Sequence, residues 1–283
     1  MVGNRLTMTC VAGLFSCGIA RAESPETPAP DKSGYRLWRP TPRELRRPMS
    51  ADRPDVTESP YTVDAGAVQI ELSFVEAALN WEDGDTGTSL AAAPMNLKLG
   101  LTNRVDVQLL VNPYLHEDEV GGGTADGFGD IGLRLKVNLW GNDGGKTALA
   151  LLPFVMFPTG SDEVSAGRVE GGLTVPLAVE LPRGFGLGLQ ATIEWTGDDD
   201  DDGVTAVFSH TVNLAKDLTE RIGVYVELVG EVPLEDAEYR PTFSSGMTFG
   251  VTGDLQFDLG MRVGLDNDDT DDLVVFAGMT VRF

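Results

Sequence analysis

The sequence predicts an all-β fold, an antiparallel up-and-down transmembrane β-barrel of about twelve strands preceded by an irregular N-terminal segment. Three observations carry that prediction. Apolar and polar residues alternate with period two, in stretches of about ten residues, from Val68 to Phe283. The connections between the stretches are by turns long and acidic or short and tight. Beyond the first 22 residues, no run approaches the about 20 apolar residues that a membrane helix needs.

In chain order, Arg5 precedes a mostly apolar run from Leu6 to Ile19, followed by the small-x-small pattern Ala20-Arg21-Ala22. That is the layout of an export signal, so residues 1–22 are expected to be a cleaved signal peptide. A lipoprotein signal cut before Cys17 in "LFSC" is the competing reading, against which Phe15 stands where such signals carry a small residue. Cys10 and Cys17 both fall within the leader, so the mature chain is expected to hold no disulfide. Residues 23–60 are rich in proline and charge and are expected to be irregular, with the barrel over 61–283. For "DRPDVTESPYTVDAG" (52–66) two readings stand: a periplasmic lead-in, or a small plug whose charges meet the lumen wall.

Strands are expected near 68–80, 89–101, 104–115, 128–140, 146–157, 170–181, 185–196, 204–215, 221–232, 242–252, 255–265 and 273–283. The odd connections, such as "EDGDTGT", "HEDEVGGGTADG" and "GDDDDDG", are acidic and long; the even ones, such as "TN", "PRG" and "GD", are short. In an up-and-down barrel alternate connections share a rim, so the long loops gather outside and the short turns face the periplasm.

Alternation does not say which face points outward. The polar face carries charge on most strands, which suits a wet or salt-bridged lumen lined by Glu71, Lys98, Arg104, Asp106, Asp130, Arg134, Lys136, Glu180, Glu194, Arg221, Glu227, Asp258, Arg262 and Arg282. Trp81, Trp140 and Trp195 fall at strand ends, either as interfacial aromatics or as ordinary packing. The stretch "VVFAGMTVRF" (274–283) resembles the terminal strand of bacterial outer-membrane proteins, and Phe283 is then the residue read by the barrel-assembly machinery.

"MSADRPDVTESPYTVDAGAVQIE" (49–71), "GFGDIGLRLKVNLWGNDGGKTALALLPFV" (127–155), "VEGGLTVPLAVEL" (169–181) and "LTERIGVYVE" (218–227) carry a family likeness. Over residues 49–283 the chain resembles outer-membrane transporter proteins assigned to a meta-pathway of phenol degradation. The resemblance implies a membrane barrel that moves small, hydrophobic or aromatic compounds. One departure is Ala67, where relatives read "DAGHFQ".

Several chemistries are excluded. With 44 acidic against 21 basic residues and a net charge of −23, the chain does not suit nucleic-acid backbones. "GNDGGKT" (141–147) has Trp140 where a phosphate-binding loop needs its first glycine, and a strand pattern follows where a helix is required. Ser209 and His210 are strand neighbours on opposite faces and cannot pair, so no catalytic residue is assigned and no enzyme is expected. No cofactor is expected. Asp198, Asp199, Asp200, Asp201, Asp202, Asp266, Asp268, Asp269, Asp271 and Asp272 offer the carboxylate oxygens that hold a loosely bound calcium ion, or else form a solvated rim that repels anions.

The sequence therefore points to a barrel in the outer membrane of a Gram-negative-type bacterium. Its expected partners are membrane lipid, lipopolysaccharide, the assembly machinery and a small-molecule solute. Passive passage of small solutes is the functional expectation, and a closed-lumen structural or surface-interaction barrel is the rival.

Overall fold

The computed structural model describes residues 30–283 except 83, 84, 119, 121, 198–202, 236 and 266–269. The expected signal peptide lies outside the described residues. Fifteen strand segments are described: β1 (Val68–Glu82), β2 (Asp85–Ala92), β3 (Met95–Thr102), β4 (Val105–Val111), β5 (Tyr114–Asp118), β6 (Thr124–Gly127), β7 (Ile131–Trp140), β8 (Thr147–Phe157), β9 (Glu170–Leu181), β10 (Phe185–Gly197), β11 (Val204–Asp217), β12 (Ile222–Pro233), β13 (Arg240–Thr252), β14 (Leu255–Gly264) and β15 (Leu273–Arg282). All belong to one antiparallel sheet, and β15 pairs back onto β1 to close it.

The fifteen segments make twelve staves. β3 and β2 pair with successive parts of β1, so the two are one stave interrupted at Ala93-Pro94. β4 and β5 are likewise one stave broken at Asn112-Pro113, and β6 and β7 one stave broken at 128–130. Proline has no N–H to give to a ladder, which explains the first two breaks.

Turns 103–104, 141–146, 182–184, 218–221 and 253–254 lie at one rim, the longer connections at the other. "GNDGGKT" forms one of the turns, with Gly141, Gly144 and Gly145 at positive φ. The first two outer connections are shorter than the sequence suggests. Strand pairing continues through Asp85–Thr88 and through His116–Asp118 with Thr124–Gly127. Above the membrane both faces of the sheet meet water, so the ladder persists where apolar alternation has ended.

Burial is inverted relative to a water-soluble barrel. Lys98, Lys136, Gln69, Gln108, Glu71 and Glu227 are among the most deeply buried side chains, whereas Phe74, Leu133, Leu228, Phe257 and Leu259 are exposed in mid-strand. The apolar face therefore points to lipid and the polar face into the lumen. Trp81 and Trp195 are exposed near the outer ends of β1 and β10, and Trp140 at the inner end of β7, where amphipathic rings collect at the membrane interfaces.

The chain enters along the inner rim. Arg36 and Arg39 close a tight hairpin whose Leu37 N–H donates to the Leu101 carbonyl of β3 at 2.8 Å. After passing through the lumen, the chain returns beside β3, where Gly66 N–H donates to the Gly100 carbonyl and Gly100 N–H to the Ala67 carbonyl. A Cβ at Gly100 would collide with the Asp64 backbone, so only glycine admits this crossing. Gly100→Val is expected to destabilise the protein by about 1–3 kcal/mol through overpacking against main chain. Urea unfolding in detergent, followed by tryptophan fluorescence, checks this, and an unchanged midpoint would contradict it.

Candidate functional site: the filled lumen

Residues 49–66 loop up into the periplasmic half of the lumen and back out, contributing no strand to the wall. The wall they meet is electrically divided. On one side, β3, β4 and β7 set Lys98 beside Gln108, Gln108 beside Arg134, and Asp106 beside Lys136. On the other, β12 presents Glu227 and β14 presents Asp258.

The loop is complementary to both. Asp52, with no exposed surface, pairs with Lys98 and accepts from Lys136 Nζ at 2.8 Å on both oxygens. Its N–H donates to Glu71 Oε1 at 3.0 Å, while Lys98 reaches Glu71 at 2.6 Å. Glu58 pairs with Arg134, whose guanidinium lies over the Phe154 ring. Across the lumen, Arg53 pairs with Asp258 at 2.9 Å and donates to Ser73. Space for that guanidinium comes from Gly278, where a Cβ would strike it. Val56 and Thr57 N–H both donate to the Glu227 carboxylate at 2.8 Å.

Neutral side chains complete the docking. Asn213 donates to Asp55 at 2.7 Å, Asn138 to the Pro60 carbonyl at 2.9 Å, and Gln69 to the Ser50 carbonyl at 2.8 Å. Glu58 N–H donates to Gln190, and Val63 N–H to Asp106 at 2.9 Å. A loop without a ladder must pair its buried backbone groups with side chains, and the inward polar residues do so here.

A second clamp closes the periplasmic mouth. Asp143, in turn 141–146, lies 2.9 Å from Lys32 and 3.0 Å from Arg47, and Asp64 approaches both bases. Partial burial pushes the Asp143 carboxyl up, but hydrogen bonds from Asn103 and Lys32 and the charges of Arg47 and Lys32 hold it below the usual range.

Of the residues assigned to the lumen from sequence, Glu71, Lys98, Asp106, Arg134, Lys136, Glu227 and Asp258 meet the loop or its immediate partners. The others stand elsewhere. Arg104 and Arg221 are exposed in periplasmic turns, because the strands end one residue away from each. Glu180 is exposed near the inner end of β9. Asp130 sits in a stave break and accepts from Gly160 N–H, Ser165 Oγ and Ala166 N–H at 2.8–3.0 Å, pinning an outer loop. Arg282 pairs with Asp254 in the last inner turn.

Higher in the barrel, Arg262 pairs with Glu76. Glu194 lies near Glu170 and Glu231. Asp198, Asp199, Asp200, Asp201, Asp202, Asp266, Asp268 and Asp269 lie outside the described residues. Asp271 accepts from Asn80 Nδ2 at 2.9 Å, and Asp272 from the Trp81 N–H at 2.6 Å, so these two tie the last outer connection to β1. His210 stacks on Phe208 and Tyr239, with Ser209 on the opposite face.

The sequence reading raised the plug but did not name Asp52, Arg53 or Glu58 as site residues. Their signal was weak: charges amid prolines, without periodicity. Gln69, Gln108, Gln190 and Asn213 could have been found by extending the inward parity to uncharged side chains.

A family model described as "Putative MetA-pathway of phenol degradation" matches residues 51–283. The chain belongs to that family. The match begins at Ala51, so the family unit includes the lumen loop as well as the barrel, and excludes the Arg36–Arg39 hairpin.

Solved structures share the fold of this family member. An outer membrane channel from Pseudomonas putida F1 superposes with a TM-score of 0.63 at 14% identity, covering 82% of this chain and all of that one. The NanC porin gives 0.51 at 9% identity, covering 76% and 98%. The β domain of the Bordetella autotransporter BrkA gives 0.50 at 12%, also covering 76% and 98%. At these identities the likeness is one of fold. No curated protein matches the sequence. Barrel, lipid-facing apolar belt and family together place the protein in the outer membrane of a Gram-negative bacterium.

Two outcomes follow. Asp52→Asn leaves Lys98 and Lys136 without their shared anion and is expected to weaken loop docking by about 3–5 kcal/mol, as removal of one partner from a buried pair does. Hydrogen exchange over residues 49–66 would rise, and wild-type protection in the variant would contradict the assignment. The mouth clamp behaves differently with pH. Because the folded Asp143 carboxyl is depressed, its contribution is complete above the ordinary aspartate value of about 3.9 and is lost as pH falls through the lower folded value. Exchange protection of residues 30–48 is thus expected to be equal at pH 5 and pH 7, and loss already at pH 5 would contradict it.

Proposed function

We propose that the protein is a passive outer-membrane channel for small solutes, kept closed in the described state by the loop at 49–66. One observation carries this reading. The lumen's occupant is separable from its wall, because the loop adds no strand and is held by side-chain hydrogen bonds and ion pairs. Water can replace such contacts, whereas a strand could leave only by opening the barrel.

The outer half of the lumen supports a solute class. Leu115, Ala91 and Phe276 follow one another across β5, β2, β1 and β15 on the inward face, with Glu76 between the last two. Buried apolar side chains beside a few charged ones suit small neutral molecules with an apolar body, and the family name is consistent with phenolic compounds. The acidic outer rim disfavours anions. The reading requires no catalytic step, and Ser209 and His210 remain on opposite faces.

The density of buried ion pairs favours the rival, a permanently closed structural barrel, and electrophysiology separates the two. The hydroxyls of Thr57 and Thr211 are 2.5 Å apart, so a Thr57→Cys/Thr211→Cys pair can tether loop to wall. In planar bilayers wild-type protein is expected to give brief current steps, Asp52→Asn longer ones, and the oxidised tether none until reductant is added. Silence in all three forms, each shown folded by heat-modified gel migration, would sink the channel reading and favour the structural one.

A further inference from the structure

The inner rim carries a basic, partly apolar surface that neither the lumen nor the barrel wall uses. Trp38 and Leu37 form the tip of the Arg36–Arg39 hairpin, and Trp38 is 84% exposed. The hairpin is no loose tail. Arg36 bridges Thr102, Leu37 N–H donates to Leu101, and Thr41 N–H donates to Ala65 at 2.9 Å, which fixes the tip against the inner end of β3. Leu101 belongs to the apolar alternation of β3, and Trp140, the exposed ring at the inner end of β7, stands two staves away at the same rim. The tip therefore sits at the level where the lipid-facing surface gives way to headgroups.

Charge supplies the second argument. In a chain with twice as many acids as bases, Arg36, Arg39, Arg43 and Arg104 are all exposed at this rim. None of the four has a carboxylate partner among the described residues. Arg36 donates to the Ser33 and Tyr35 carbonyls, and Arg39 lies over the Tyr35 ring, so both guanidinia are oriented and neither is neutralised. Residues 30–48 hold six bases against two acids, Asp31 and Glu44, neither of which pairs with these arginines among the described residues, so an anion from outside the chain is the fitting counter-charge.

We propose that the Arg36–Arg39 hairpin, with Arg43 and Arg104, is a docking surface for acidic phospholipid headgroups of the periplasmic leaflet, with Trp38 inserted at the interface. The arginines meet the phosphates, the indole lies among the glycerol and upper acyl groups, and the barrel's inner rim is thereby held at a fixed depth.

The test uses the full chain in phosphatidylcholine bilayers containing a minor fraction of lipid brominated on its acyl chains, either phosphatidylglycerol or phosphatidylcholine. The Trp38 signal is the difference between wild type and Trp38→Phe. Brominated phosphatidylglycerol is expected to quench it more than brominated phosphatidylcholine at equal fraction. The preference should fall by up to about five-fold for each arginine changed to glutamine in Arg36→Gln/Arg39→Gln/Arg43→Gln, and survive in the corresponding lysine variants. Equal quenching by the two lipids would overturn the acidic-lipid assignment. Quenching by aqueous iodide but by neither lipid would overturn membrane docking altogether and point to a water-soluble periplasmic partner. Heat-modified migration confirms that each variant retains its barrel, and among the described residues no hydrogen bond or ion pair joins these exposed side chains to the lumen loop.

Discussion

Asp52 between Lys98 and Lys136 is the interaction on which the interior depends. Three strands bring those lysines to one side of the lumen, where two ammonium groups out of water would be costly without a shared anion. Asp52 supplies it, and Ser59 N–H and the Gln69–Glu71 pair then complete its surroundings. Everything else in the loop follows from that anchor. With Asp52 fixed, Arg53 faces Asp258 across the lumen and the amides of Val56 and Thr57 face Glu227.

The same chain solves two solvent problems in opposite senses. Towards lipid it shows Leu, Val, Phe and Met on alternate positions, and towards the lumen it shows charge and amide. A closed barrel leaves no unpaired strand edge, so the backbone is satisfied in the membrane without regard to side chains. The side chains are then free to specialise, which is why a polar occupant can fill the interior without weakening the wall.

The two rims differ in charge. Acidic residues crowd the outer connections, whereas arginines with no carboxylate partner among the described residues stand at the inner rim. A barrel with this polarity is oriented by its short turns, and its basic end meets the leaflet in which acidic phospholipids can neutralise it.

Much of the fold was legible because strand periodicity is local. The alternation of Ile131, Leu133, Leu135 and Val137 with Arg134 and Lys136 is visible in seven residues, and it assigns Lys136 to the lumen. Charged strand ends such as His116–Asp118 were less legible, since nothing in their composition separates an extended ladder in water from a loop. Arg104 and Arg221 were misplaced for a related reason: parity continues through a strand's end while the barrel does not. By itself the sequence determined which residues share a face of each strand, and that a charged, proline-rich segment precedes the first strand. Only the tertiary structure decided that this segment enters the lumen and that Asp52 is the ion shared by Lys98 and Lys136. Those partners lie far apart in the chain, and barrel closure, a property of all twelve staves together, is what brings them within reach.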